Sequence, residues 1–374
     1  MIFKNYKGLE LSALGLGLMR LPTVDGDNAK IDEVKTAEMV KYAMDNGINY
    51  FDTAWGYHSG QSEPVMGKVL SEYPREKFYL ASKFPGYDTA NLERIDEIFN
   101  KQLERCRVDY FDFYLVHNVC ESNIEAYLDD KYPLYEYLTE QKRKGRIRHL
   151  GFSVHGTLET TKRFLAKYGD AMEFCQVQLN WIDWHFQNAK AKLDLLAQLG
   201  IPVWVMEPVR GGKLAKLSEK HMAMLEALRP GVSAPEWAFR YLQSIPGVAV
   251  TLSGMSNMEQ LADNIKTFSE EKPLNDEEIN TLYKIASEMV ASVPCTSCRY
   301  CTEKCPNELD IPRLIELYNE HVFTGGGFIA PMALSTVSED KRPASCVGCR
   351  ACEAVCPQSI KISEVLADFA KRLN

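Results

Sequence analysis

The chain has 374 residues, is 45% hydrophobic and carries a net charge of −8 at neutral pH. That length suits two domains better than one or three, and no apolar stretch approaches the ~20 residues of a membrane span. The acidic balance, with no basic block, argues against nucleic acid as a partner. The opening residues, Met1 to Lys7, lack the apolar run of a secretion signal, so a cytoplasmic setting with reduced thiols is expected.

From Leu11 to about Ser253, short β-rich runs alternate with longer stretches of helical period. The runs are Leu11–Leu18, Ile48–Asp52, Phe78–Ser82, Phe111–Val116, Ile147–Phe152, Glu173–Gln178, Pro202–Val205 and Val248–Leu252. Helical stretches fall between them, such as Val34–Asp45, Asn91–Arg105, Leu134–Lys144, Leu158–Lys167 and Ala189–Leu199. Eight strands with helical crossovers over ~250 residues predict a (β/α)8 barrel, an α/β fold. A doubly wound open sheet is the alternative. It would want a glycine-rich turn after an early strand, and Gly15-Leu16-Gly17 lacks the third glycine.

A last helix opens at Asn275-Asp276-Glu277-Glu278, with acidic residues in its first turn, and runs to about Ser292, where Pro294 stops it. The expected division is a barrel over residues 1–290 and a small module over 291–374, joined without a flexible linker. Inside the module a helix is predicted over Pro312–Val322, followed by a Gly325-Gly326-Gly327 loop.

The module holds two cysteine runs of one spacing. They are Cys295, Cys298, Cys301 and Cys305-Pro306, then Cys346, Cys349, Cys352 and Cys356-Pro357. The pattern resembles the bacterial ferredoxin run, in which the fourth cysteine of each run ligates the other cluster. That resemblance implies two [4Fe–4S] clusters, one on Cys295, Cys298, Cys301 and Cys356, the other on Cys346, Cys349, Cys352 and Cys305. Zinc is the competing occupant, since four cysteines also bind it tetrahedrally. The remaining Cys106, Cys120 and Cys175 lie far apart and read as small buried hydrophobes.

Catalytic groups of a barrel of this type sit at the C-terminal strand ends. Read in order, those ends carry Phe51-Asp52-Thr53-Ala54-Trp55-Gly56-Tyr57, then Ser82-Lys83, then Tyr114-Leu115-Val116-His117. Taken singly, each is more simply a half-exposed aromatic, a structural histidine or a partly buried ion pair. Together they make chemical sense. A lysine cation lowers the pKa of a phenol, a carboxylate keeps the lysine charged, and an imidazole can orient a carbonyl oxygen.

The ordered set Asp52, Tyr57, Lys83 and His117 resembles the catalytic tetrad of the aldo/keto reductase family, over about residues 1 to 290. The resemblance implies an NAD(P)H-dependent oxidoreductase acting on a small carbonyl or alcohol, with Tyr57 as general acid. It also implies a nicotinamide dinucleotide site. Gly17, Leu18 and Met19 match the first strand end, and Ser153 and Gln176 the carboxamide contacts. Met206, Glu207, Pro208 and Val209 match the loop over ring and diphosphate, and Gly254, Ser256, Gln260, Asp263 and Asn264 the adenine half. Three features depart from the family pattern: Val154 where many relatives carry an amide or arginine, Met206 where an aromatic ring often stacks, and the eighth-strand loop. The eighth-strand loop carries no cation for the 2′-phosphate of NADP, which leaves Arg210 or Lys213 to supply it, with NAD as the alternative. Trp55, His58, Phe84, Asn118, Trp181 and Trp184 are candidates for the substrate mouth.

A hydride carries two electrons and each cluster passes one. Three readings follow: a carbonyl reductase whose clusters exchange electrons with a redox partner protein, the same enzyme with clusters as structural staples, or a nucleotide-sensing or docking barrel serving an iron–sulfur module.

Overall fold

The computed structural model describes residues 1–290 and 293–373 and divides into two units, Met1–Tyr283 and Lys284–Asn374. The predicted helix end at Ser292 lies outside the described residues. Among the described residues no helix is long and apolar enough to cross a membrane.

The first unit begins with an antiparallel hairpin, β1 (Phe3–Tyr6) and β2 (Leu9–Ser12). Its turn is Lys7-Gly8, with φ of 50° and 88°, the positive values that a two-residue hairpin turn requires. Eight parallel strands then close a barrel: β3 (Leu14–Gly17), β4 (Tyr50–Asp52), β5 (Tyr79–Phe84), β6 (Phe111–Val119), β7 (Ile147–Val154), β8 (Phe174–Gln178), β9 (Val203–Met206) and β10 (Val248–Ser253), with β10 pairing back to β3. This is the (β/α)8 barrel, and the open-sheet alternative falls with the closing pair. The single run expected over Leu11–Leu18 is split at Ala13 between hairpin and barrel.

Helices over Glu33–Asp45, Ser62–Leu70, Ile95–Cys106, Leu134–Arg143, Leu158–Tyr168, Ala189–Gln198 and Ala234–Gln243 form the crossovers, each burying an apolar stripe. Inside the barrel Tyr50, Phe113, Phe174 and Trp204 pack with Tyr6 and Leu11 of the hairpin into one buried cluster. The hairpin is therefore the plug of the barrel's N-terminal end. Glu173 pins it there, bonding Lys7 at 2.5 Å, Lys142 at 2.6 Å and His149 at 3.1 Å.

The second unit has two matching halves. Each runs from a cysteine loop through Cys-Pro to a helix, Ile311–Thr324 in the first and Ile362–Leu373 in the second. The left-handed residues also match: Ser297 and Gly348, Arg299 and Arg350, Glu308 and Ser359. Leu309, Ile311, Leu314 and Ile315 of one half meet Ile360, Ile362, Leu366 and Phe369 of the other, with Cys301 and Cys352 buried among them.

Candidate active site and cluster module

Parallel pairing brings the strand ends together at one end of the barrel. Asp52 ends β4 and pairs with Ala81 of β5; Lys83, two residues on, pairs with Leu115 of β6. The Lys83 side chain is fully buried and spends all three ammonium donors: on Asp52 Oδ1 at 2.6 Å, the Thr53 carbonyl at 2.7 Å and Tyr57 Oη at 3.3 Å. Burial works against the cation, but the Asp52 carboxylate and the Tyr57 oxygen raise Lys83 above its ordinary pKa. Burial raises the Asp52 carboxyl, against the pull of Lys83.

Burial also dominates at Tyr57. It lifts the phenol above 10 even though Lys83 pulls the other way. The lysine-lowered phenol expected from the residue set is thus not the net outcome; the ground state is a neutral hydroxyl beside a cation. His117 is pushed well below 6.5, first by burial and then by Lys83 and His155, so its imidazole is neutral. Its ring stands edge-on to Tyr57, with centroids 6.1 Å apart. A bulge aims it there. Val116 pairs with Phe152 and Val119 with Val154, leaving an extra residue in β6, and Asn118 takes a left-handed φ of 56°.

The loop carrying Tyr57 is held by His58, whose Nε2 accepts the Leu21 N–H at 3.0 Å and whose Nδ1 donates to the Asn28 carbonyl at 2.9 Å. His58 is therefore a buried strut, not a wall of the substrate mouth. Trp181 and Phe84 are likewise core residues, whereas Trp184 is half-buried and Trp55 lies under the Arg105 guanidinium at 3.8 Å. Tyr87, missed from the sequence, stands edge-on to His117 at 5.4 Å and is 40% exposed, which suits a residue at the mouth. Behind Lys83, Gln102 Nε2 bonds the Lys83 carbonyl at 3.0 Å and buried Glu63 at 2.6 Å, fixing the β5 backbone.

Beside these strand ends lies a cleft of about 290 Å³, walled by Glu207, Pro208, Val209, Gly211, Gly212, Gly254, Ser256, Gln260 and Asn264 among others. Gly17 packs behind Ser253, which lines the cleft: a Cβ on Gly17 would sit 3.3 Å from the Ser253 backbone. Ser153 and Gln176 face each other on β7 and β8, both buried, with Ser153 Oγ accepting the Asn118 N–H at 2.8 Å. Leu18 is buried, Met19 exposed, and Met206 ends β9. The helix Met258–Thr267 starts at the cleft with Asn257 as its cap; Gln260 bonds the Ser256 N–H at 2.8 Å and Asn264 bonds Ser253 Oγ at 3.1 Å. Asp263, on that helix, is half-buried and outside the cleft wall.

The cation of the cleft is not the expected one. Arg210 is buried with its Nε on Asp183 at 2.9 Å, and Lys213 is exposed and outside the wall. Arg20, one residue past Met19, lies along the cleft; its side chain would be 3.2 Å from a Cβ at Gly254 and its guanidinium 3.7 Å from one at Gly211. A basic group, a capped helix start and two close-approach glycines make a donor set suited to a phosphate-bearing dinucleotide.

In the module, Cys295, Cys298, Cys301 and Cys356 line one concavity with Pro357, and Cys305, Cys346, Cys349 and Cys352 line another with Pro306. The grouping is the crosswise one. Burial and then the neighbouring thiols of Cys295, Cys298 and Cys356 raise Cys301; burial and Cys346 push Cys352 up to about 11. Crowded thiolates repel, so positive metal is what would let each quartet ionise. Among the described residues no three His, Cys, Asp or Glu close on a single ion; a cubane is wider than an ion, and its thiolates do not meet at a point. Cys106, Cys120 and Cys175 are buried, and burial raises all three thiols.

Fold and strand-end residues together define a (β/α)8 barrel with a polar site at its C-terminal strand ends, followed by a module of two cysteine quartets. The aldo/keto reductase family profile matches residues 13–287 and that of the 4Fe-4S dicluster domain residues 294–361, so the chain belongs to the aldo/keto reductase family. It is similar to probable aldo-keto reductase 1 of Glycine max, 29% identical over 55% of this chain and 58% of that protein. It is also similar to the uncharacterized oxidoreductase YqkF of Bacillus subtilis, 28% identical over 73% of this chain and 92% of that one. Among solved structures, the holo form of aldo-keto reductase AKR11C1 from Bacillus halodurans superimposes with a TM-score of 0.61 at 27% identity, covering 74% of this chain and 93% of the other.

Proposed function

We propose that the barrel reduces small aldehydes or ketones to alcohols, with a nicotinamide dinucleotide as hydride source and Tyr57 as general acid. The observation that carries this reading is the Lys83 ammonium, bonded at once to Asp52, Thr53 and Tyr57. When bound, the dinucleotide supplies the hydride; the remaining work falls to the chain. Tyr57 gives its proton to the carbonyl oxygen, and the phenolate left behind sits 3.3 Å from a cation. Asp52 keeps that cation charged in a buried site. Neutral His117 donates one ring N–H to the same oxygen and orients it.

Gly17, Leu18, Met19, Ser153, Gln176 and Met206 would hold the nicotinamide half. Glu207, Pro208, Val209, Gly254, Ser256, Gln260, Asp263 and Asn264 would hold the diphosphate and adenine half. Arg20, which lines the cleft, favours NADP over NAD. A sensing barrel needs no general acid, so the organised Tyr57 network favours turnover. The test is oxidation of NADPH and NADH with a panel of aldehydes and ketones. Turnover with at least one carbonyl, faster with NADPH, supports the reading; no carbonyl-dependent oxidation with either cofactor overturns it.

We assign two [4Fe–4S] clusters to the two cysteine quartets, in a cytoplasmic setting. Burial of Cys301 and Cys352 within a small core supports a bracing role. Exposure of Cys298 and Cys349 supports a second one, since it brings one corner of each cluster to the surface, where a redox partner protein could exchange single electrons. Cluster absorbance that bleaches under dithionite favours exchange; clusters that stay oxidised favour bracing alone.

A further inference from the structure

We propose that Asp183 is a positioning residue for dinucleotide binding, acting through the loop that follows β9; the inference rests on the dinucleotide reading above. Asp183 is fully buried in the short helix Asp183–Phe186 after β8. Its carboxylate collects donors from two loops. Arg210 Nε reaches Oδ1 at 2.9 Å and Oδ2 at 3.0 Å, and Oδ2 also accepts Gln178 Nε2 at 2.9 Å and Asn180 Nδ2 at 2.7 Å. Asn180 extends the hub, since its Nδ2 donates to the Glu207 carbonyl at 3.0 Å.

What the hub holds is a wall of the cleft. Glu207, Pro208, Val209, Gly211 and Gly212 line it. Two residues of that stretch, Glu207 and Arg210, carry side chains yet sit at φ of 57° and 47°. Left-handed backbone at residues other than glycine persists only where the surroundings over-determine it. Here they do: the Glu207 carbonyl accepts both the Arg210 N–H, at 3.0 Å, and Asn180 Nδ2. Arg210 is thereby withdrawn from the cleft, and its charge serves the loop's shape. A wall shaped before the ligand arrives costs less ordering on binding.

The test is a comparison of wild type, Asp183→Asn, Arg210→Met and the double variant, all as the cluster-loaded full chain. NADPH dissociation constants and off-rates are read by protein fluorescence, kcat and KM with an active carbonyl, and folding by thermal melts. Asp183→Asn should raise the NADPH dissociation constant about tenfold or more. The change should lie mainly in the off-rate, with kcat at saturating cofactor near wild type. The double variant removes the uncompensated buried charge, so it should regain thermal stability while keeping the weak cofactor binding. Arg210→Met leaves Asp183 with two donors and reads the same loop if Asp183→Asn fails to fold. Wild-type affinity in any folded variant overturns the proposal, as does affinity that returns together with stability in the double variant. A wild type that binds neither NADPH nor NADH overturns the dinucleotide reading itself, and this inference with it.

Discussion

The barrel and the cysteine module hold reactive groups in opposite ways. In the barrel, Lys83 bonds Asp52 and Tyr57 at the C-terminal strand ends, above an interior filled by Phe113, Phe174 and Trp204. The site is assembled by protein alone and then waits for ligands. In the module, eight thiols ring two hollows on loops of left-handed residues, and two of those thiols are part of the small core itself. Its reactive group is also its scaffold. One region should therefore survive the loss of its cofactor and the other should not.

The largest effect expected from this contrast is on metal removal. Chelating the iron should unfold residues 294–361 while the barrel keeps a cooperative melt, because binding energy at such a site is folding energy. Circular dichroism and limited proteolysis would check this; a module resisting protease without iron would break the contrast. Cys356→Ala and Cys305→Ala sharpen it, since each should cost the cluster of the opposite run. Next comes Lys83→Met, which strands the buried Asp52 carboxylate. Loss of ~3–5 kcal/mol of barrel stability is expected, together with near-complete loss of carbonyl reduction, read by melts and by NADPH oxidation.

The pH dependence should be smaller. His117 becomes charged only well below 6.5 and Tyr57 ionises only above 10, so reduction should be flat between those values and fall on the alkaline side as the proton donor is lost. A kcat/KM profile with a break near neutrality would place another group in control. The smallest effect is at the plug. Burial opposes the Glu173 charge, but His149, Lys142 and Lys7 hold its carboxyl well below 4.5. Its stabilising contribution is present above that value and is lost as the pH falls. Glu173→Gln should cost about 1 kcal/mol at neutral pH and nothing in strong acid, read from urea midpoints.

What could be read in the sequence follows the same division. Strand runs such as Phe111–Val116 and the two cysteine runs rest on period and spacing, which local chemistry fixes. The tetrad residues could be named because parallel strands align their ends. The hairpin Phe3–Ser12 was missed because its strands are short and half-exposed. The bulge at Asn118 and the Asp183 hub depend on contacts between distant loops, which no periodicity encodes. Arg20 had a local signal, a cation just past a strand end. Arg210 had the same kind of signal and turned inward, because Asp183 was there to meet it.

The most direct test of the central claim is Tyr57→Phe, which keeps the ring and removes the proton. Wild-type cluster content and NADPH affinity are expected, with carbonyl reduction lower by about 10²–10⁴. A Tyr57→Phe protein that turns over carbonyls at the wild-type rate would contradict that claim.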